Sequence, residues 1–282
     1  MAMALGFTAI PAEAAPPPKA DYVALGDSFT AGTGAGAAER PEGVDCWQSQ
    51  RGYVDAVGKT GRVNLVANAA CHGAVLFDDN PFHDEALYTP TVFEQLQGLI
   101  KDGLLTEETE LVSITAGAND LGFAYVLGQC AVSTEACNQA LTSVTTESAL
   151  GNLTADLVAT YVAIQQAAPN ATIVVLGYPL LFDPTSQFAP IPVANQFAIN
   201  GATLALNELI ANAVTLAKVN AIYVDVTARF AGHAVNSADP WLVLDFSQPL
   251  PDYNFHPNRA GHTLGYAAAL KAAVNLPQLA RQ

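Results

Sequence analysis

Five short apolar runs recur along the chain, each followed by a polar or glycine-containing turn. Tyr22-Val23-Ala24-Leu25 runs into Gly26, and Asn64-Leu65-Val66-Ala67, Leu111–Thr115, Ala171–Gly177 and Ala221–Val226 follow it. These runs are too short for core helices, and several are rich in β-branched residues, so they read as buried strands. Between them lie longer stretches of helical character at 49–59, 91–101, 146–168, 193–219 and 260–274. Continuous apolar strands that alternate with helices predict a parallel sheet covered on both faces. The pattern therefore predicts a three-layer, doubly wound α/β domain around a mostly parallel five-stranded sheet. No repeat or composition break interrupts residues 21–282, so a single domain is expected there.

Composition narrows the class further. Hydrophobic residues make up 51% of the 282 and charged residues 13%, which excludes a disordered chain or a coiled coil. A net charge of −15 argues against a nucleic-acid partner, because phosphate binding needs basic surface. The first residues differ from the rest. Met1 to Ile10 is a small apolar run, followed by Ala12-Glu13-Ala14 and by Pro16-Pro17-Pro18. This small-x-small pattern predicts a signal-peptide remnant over 1–15, cut after Ala14 or Ala15, and a flexible Pro-rich start over 16–20. No later apolar run reaches the roughly 18 residues that a membrane span needs. A secreted monomer with no stable membrane insertion is the expectation.

Four cysteines, Cys46, Cys71, Cys130 and Cys137, allow three pairings. None forms a CxxC and the histidines do not cluster at zinc spacing, so neither a metal nor any other cofactor is expected. In an exported chain the natural reading is two disulfides. Cys46–Cys71 and Cys130–Cys137 each close a short local loop and are favoured.

Open α/β sheets do their chemistry outside the carboxyl ends of the strands. The first strand leads into Gly26-Asp27-Ser28-Phe29-Thr30-Ala31-Gly32, and the second into Asn68-Ala69-Ala70-Cys71-His72-Gly73. The third leads into Ala116-Gly117-Ala118-Asn119-Asp120, and Asn254-Phe255-His256-Pro257-Asn258 lies near the chain end. These tips supply a hydroxyl, a glycine backbone, a carboxamide and an imidazole, which are the parts that acyl transfer needs. Glycines 32, 34 and 36 match neither GxGxxG nor GxxxxGKS, so nucleotide binding is rejected.

The four segments resemble, in the same chain order, the four blocks of the SGNH (GDSL) hydrolases. The likeness is greatest to secreted actinobacterial-type lipases, esterases and phospholipases A1. The resemblance implies a flavodoxin-like fold and a serine carboxylic-ester hydrolase that forms an acyl-enzyme. It implies Ser28 as nucleophile and His256 as general base. The backbone N–H groups of Ser28 and Gly73 and the amide of Asn119 become the oxyanion hole. Disulfides spaced like the two favoured pairs also occur in that group. One position departs from the family pattern: three residues before the histidine stands Tyr253, where Asp is usual, and Asp252 lies one further upstream. The expectation is a Ser-His dyad with the Tyr253 backbone carbonyl orienting His256. An Asp252 carboxylate reaching the ring is the alternative.

The remaining polar candidates read as support. Asp120 is expected to cap a helix, and His262 to support the His256 loop or cap the following helix. His72, His83 and His233 are expected on the surface or in a pocket. The apolar segments Leu121–Val126 and Pro179–Pro192 are expected to wall an acyl pocket. With only Trp47 and Trp241 as tryptophans, lipid-like or simple esters are favoured over acetylated sugars. The other readings on this fold are a phospholipase A1, a sugar acetylesterase and a secreted binding module without catalysis.

Overall fold

The computed structural model describes residues 18–36, 46–83, 89–247 and 252–280. The signal remnant expected over 1–15 lies outside them, and the Pro-rich start is described only from Pro18. Five strands form one sheet: β1 (Ala20–Gly26), β2 (Val63–Asn68), β3 (Thr109–Thr115), β4 (Thr172–Leu176) and β5 (Ala221–Val224). Their order is β2-β1-β3-β4-β5, and every pairing is parallel. The winding direction changes between β1 and β3, whose carboxyl ends meet at Gly26 and Thr115. Such a switch point opens a crevice above the sheet.

The helices are α1 (Ser28–Ala31), α2 (Tyr53–Gly58), α3 (Val92–Lys101), α4 (Phe123–Val132), α5 (Thr134–Val144), α6 (Glu147–Ala167), α7 (Val193–Ala217), α8 (Thr227–Phe230), α9 (Ala267–Ala273) and α10 (Leu276–Leu279). α3 packs on α6 and α6 on α7, while α2 packs on α9, which gives two helix layers around the sheet. α3 begins where the sequence predicts. Thr91 accepts from the Glu94 N–H at 3.2 Å, and Glu94 accepts from the Thr91 N–H at 2.9 Å. This reciprocal cap contributes about 1 kcal/mol.

Four elements differ from the expectation. α2 starts at Tyr53 rather than 49, because Gly52 presses on Gly32, where an added Cβ would stand 2.7 Å from the Gly32 Cα. Residues 260–274 form two pieces, a π-helical turn over Gly261–Tyr266 and then α9. Gly261 and Gly265 lie tight against the Trp241 carbonyl and the Phe230 ring, leaving no room for a Cβ. α4 and α5 were not expected as helices. They pack on each other, and the Cys130–Cys137 disulfide links them. Cys46–Cys71 is bonded too, so both favoured pairs are present.

Beneath the crevice, buried hydroxyls form a paired chain. Tyr22, Tyr53 and Tyr266 are fully buried. The Tyr22 and Tyr53 hydroxyls share Ser113 Oγ at 2.7 and 3.1 Å, and Tyr53 also meets Thr30 Oγ1 at 2.9 Å. Thr30 passes the chain on to Thr115 Oγ1 at 2.7 Å. A buried network with every member partnered rigidifies the layer on which the site stands.

Candidate active site

Gly26 ends β1 with φ 130°, a backbone that L side chains avoid, and an added Cβ would stand 2.2 Å from the Thr115 carbonyl oxygen. That turn places Asp27 as the cap of α1. Its carboxylate accepts from the Phe29 N–H and from the Thr115 and Tyr178 hydroxyls. Asp27 is buried, and burial outweighs those hydrogen bonds, pushing its carboxyl up to about 6. Asp27 thus fixes the first turn on which Ser28 is carried.

Ser28 Oγ lies 2.7 Å from His256 Nε2. The His256 ring is buried against Phe29 and His72, at centroid distances of 5.2 and 5.4 Å. Burial, with His72 beside it, pushes the imidazole down to about 3. The segment carrying His256 is pinned to residues 241–243 by three backbone bonds: Val243 N–H to the His256 carbonyl, Phe255 N–H to Val243 and Asn258 N–H to Trp241.

The orienting contact differs from the expectation. His256 Nδ1 lies 2.9 Å from the Asn254 carbonyl oxygen, not from that of Tyr253. The Tyr253 carbonyl instead accepts the His256 backbone N–H at 3.3 Å. The reason is backbone handedness. Phe255 adopts φ 64°, and this left-handed residue turns the preceding carbonyl toward the ring. The Asp252 alternative is not realised either. Asp252 lines the cavity beside His72, and no hydrogen bond joins it to His256 among the described residues.

Gly73 and Asn119 reach the same cavity as Ser28 and His256. Gly73 has φ 82°, and an added Cβ would reach Thr89 Oγ1 only at 4.0 Å. Among the described residues neither its N–H nor that of Ser28 donates within the protein. The Asn119 amide donates one hydrogen to the Ala74 carbonyl at 2.9 Å, which leaves its second N–H for the cavity. Asp120 does not cap a helix. Its carboxylate accepts from the Leu76 N–H at 2.8 Å and so ties down the loop that carries Gly73. Its other oxygen is buried without a partner, and burial pushes the carboxyl up to about 7.

His262 supports the site from below. Its Nε2 donates to the Thr33 carbonyl at 2.9 Å, since a carbonyl only accepts, and this braces the turn after α1. Burial holds its imidazole down to about 4. His72 lies in the cavity wall with Nδ1 3.1 Å from Thr33 Oγ1. His233 stacks on Trp241 at 3.7 Å, so that tryptophan packs inward.

The cavity holds about 470 Å³ and is mostly apolar. From Pro179–Pro192 come Phe182, Pro190 and Ile191, as expected. From Leu121–Val126 only Phe123 and Ala124 line it; Leu121 and Val126 face elsewhere. Leu127, Gly128 and Ala131 of α4, and Leu244, Phe246 and Phe255, complete the wall and were not foreseen. The i, i+4, i+7 spacing of Ala124, Gly128 and Ala131 carried the signal for one helix face.

The family model of GDSL-like lipases and acylhydrolases matches residues 24–264. Lipase 1 of Streptomyces coelicolor is 32% identical over 269 residues, covering 93% of this chain and 90% of that lipase. Among solved structures, an extracellular lipase from Streptomyces rimosus superposes with a TM-score of 0.74 at 30% identity, covering 90% of this chain and all of the other. A phospholipase A1 from Streptomyces albidoflavus has the same TM-score at 28% identity, covering 91% of this chain and all of its own. The chain belongs to the GDSL-like lipase/acylhydrolase family and is a carboxylic-ester hydrolase.

Proposed function

We propose that the protein is a secreted lipase or esterase that works through a Ser28–His256 dyad and an acyl-enzyme. The observation that carries this reading is the 2.7 Å contact between Ser28 Oγ and His256 Nε2. The Asn254 carbonyl can only accept, so Nδ1 carries the ring proton and Nε2 presents its lone pair to the hydroxyl. As Ser28 Oγ attacks the ester carbonyl carbon, its proton passes to Nε2. The carbonyl electrons move onto oxygen, where the N–H groups of Ser28 and Gly73 and the Asn119 amide receive the charge. Collapse breaks the ester C–O bond, and Nε2 returns the proton to the leaving alcohol. Water then repeats the sequence on the acyl-enzyme and frees the acid and Ser28.

The apolar cavity supports lipid-like acyl groups over acetylated sugars. Two disulfides and the Ala12-Glu13-Ala14 pattern support export. Similarity to a phospholipase A1 adds phospholipids to the substrates worth assaying. The test is hydrolysis of p-nitrophenyl esters of graded chain length, with a phospholipid and an acetylated sugar beside them. Ser28→Ala should lose several orders of magnitude in turnover while keeping its thermal transition, because nucleophile and base act as a unit. Wild-type turnover in that variant would end the dyad reading.

A further inference from the structure

The catalytic cavity is not the only apolar space that α4 borders. A second cavity of about 60 Å³ lies on its other side, walled by α5 through Leu141 and Val144 and by α7 through Ile199, Ala202 and Leu206. Phe123 and Leu127 line both cavities. They stand four residues apart, so their side chains stack along one ridge of the helix. Ala124, Gly128 and Ala131 lie on one flank of that ridge and face the catalytic cavity alone. Val126 lies on the other flank and faces only the second.

We propose that Phe123 and Leu127 form a partition that sets the longest acyl chain the enzyme accepts, and that the second cavity is space the partition withholds. This rests on the hydrolase reading above and adds the residues that govern chain length. The second cavity has an apolar lining that suits methylenes. Its two lining threonines already spend their hydroxyls inside their own helices, Thr145 on the Leu141 carbonyl at 2.7 Å and Thr203 on the Ile199 carbonyl at 3.0 Å. The partition is also held in place. The Cys130–Cys137 bond ties the end of α4 to α5, and Asn195 of α7 donates to the Cys130 carbonyl at 2.7 Å.

A volume of about 60 Å³ corresponds to roughly two waters of liquid, so it accommodates about two methylenes. Each buried methylene favours binding by about fourfold. Phe123→Ala joins the two spaces and should move the preferred ester about two carbons longer, with a gain of roughly tenfold in the long-to-short ratio of kcat/KM.

The experiment measures kcat/KM over p-nitrophenyl esters from acetyl to palmitoyl, with fluorophosphonate labelling as an independent check on Ser28. Three proteins are compared with wild type: Phe123→Ala, Ala202→Leu and the double variant. Ala202→Leu fills the second cavity from α7. Alone it should leave the chain-length preference unchanged, and in the Phe123→Ala background it should restore the shorter preference. Leu127→Ala makes the same measurement with a smaller cavity should Phe123→Ala fail to fold. A folded, labelled Phe123→Ala that keeps the wild-type preference overturns the partition. So does a shift that Ala202→Leu does not reverse, because the longer chain then goes elsewhere. Failure of the hydrolase reading looks different: the wild type itself neither labels nor turns over any ester.

Discussion

The Asn254 carbonyl holds His256 Nδ1 at 2.9 Å, so a neutral dipole two residues upstream orients the imidazole. The side chains at 252 and 253 then have little part in the chemistry. Asp252→Asn and Tyr253→Phe should each keep kcat/KM within about tenfold, an effect of ~1.4 kcal/mol or less. Tyr253→Phe loses only an exposed hydrogen bond to Asp245. A loss near 10⁴-fold for Asp252→Asn, the scale seen when a triad carboxylate is neutralised, would sink the dyad.

Asn119→Ala should lower kcat by about 10²–10³ and change KM little, because its free N–H serves the developing oxyanion more than the ground-state ester. Steady-state kinetics decides. A raised KM with unchanged kcat would make Asn119 a ground-state binding residue.

His256 sits near 3 and His262 near 4, both below the ordinary imidazole value of about 6.5. The catalytic imidazole therefore stays neutral through mildly acid pH. The rate on a soluble ester should change less than about twofold between roughly pH 7 and 5.5, where an unperturbed imidazole would lose about tenfold. Stability follows the opposite logic. Below about 6.5 the unfolded chain binds protons that the fold refuses, so these two histidines remove stability as pH falls toward 4. A pH–rate profile with its acid midpoint near 6.5 contradicts this account.

Asp120 works in the other direction. Its folded value near 7 lies above the unfolded carboxylate value of about 4, so its stabilisation is complete below about 4 and is lost as pH rises through 7. Asp120→Asn keeps an acceptor for the Leu76 N–H and removes the buried charge. The variant should gain thermal stability relative to wild type at about pH 8 and not at about pH 5, by an amount on the order of a few kcal/mol. Equal shifts at both pH values would mean that the carboxyl is not ionising in that window.

Reduction should lower the thermal transition, since each disulfide is worth ~2–4 kcal/mol. Cys46–Cys71 closes the longer loop, with a sequence separation of 25 against 7, and should account for more of the loss. Single Cys→Ala pairs followed by calorimetry would rank them. A larger loss from the Cys130–Cys137 pair would contradict loop entropy as the cause.

The sheet was legible because its central strands are buried on both faces and thus largely apolar, as in Leu111–Thr115 and Thr172–Leu176. The site was legible because residues such as Ser28, Gly73 and Asn119 follow strand ends directly. α4 and α5 were not: each is about half the length of α6 or less, and they follow each other with only Ser133 between. α4 is apolar nearly all round, and Phe123, Ala124, Leu127 and Ala131 face a cavity. The orienting carbonyl was missed by one residue for a different reason. Nothing in the residue types around His256 announces that Phe255 takes a left-handed backbone, which tertiary packing imposes. Asp120 was misread as a cap because its true partner, the Leu76 N–H, is remote in sequence.

Ser28 and His256 are 228 residues apart in the chain, and the sheet is already complete at Val224. On the dyad reading, hydrolysis therefore requires segments from both ends of the described chain. A polypeptide ending at β5 would lack the imidazole that this reading requires. On the same reading, residues 254–258 must dock beside 241–243 before an ester can be cleaved. The same arrangement gives a route to inactivation late in the molecule's life. A cut between β5 and His256 would leave the imidazole held only by packing and by backbone bonds such as these, with all five strands on the other fragment.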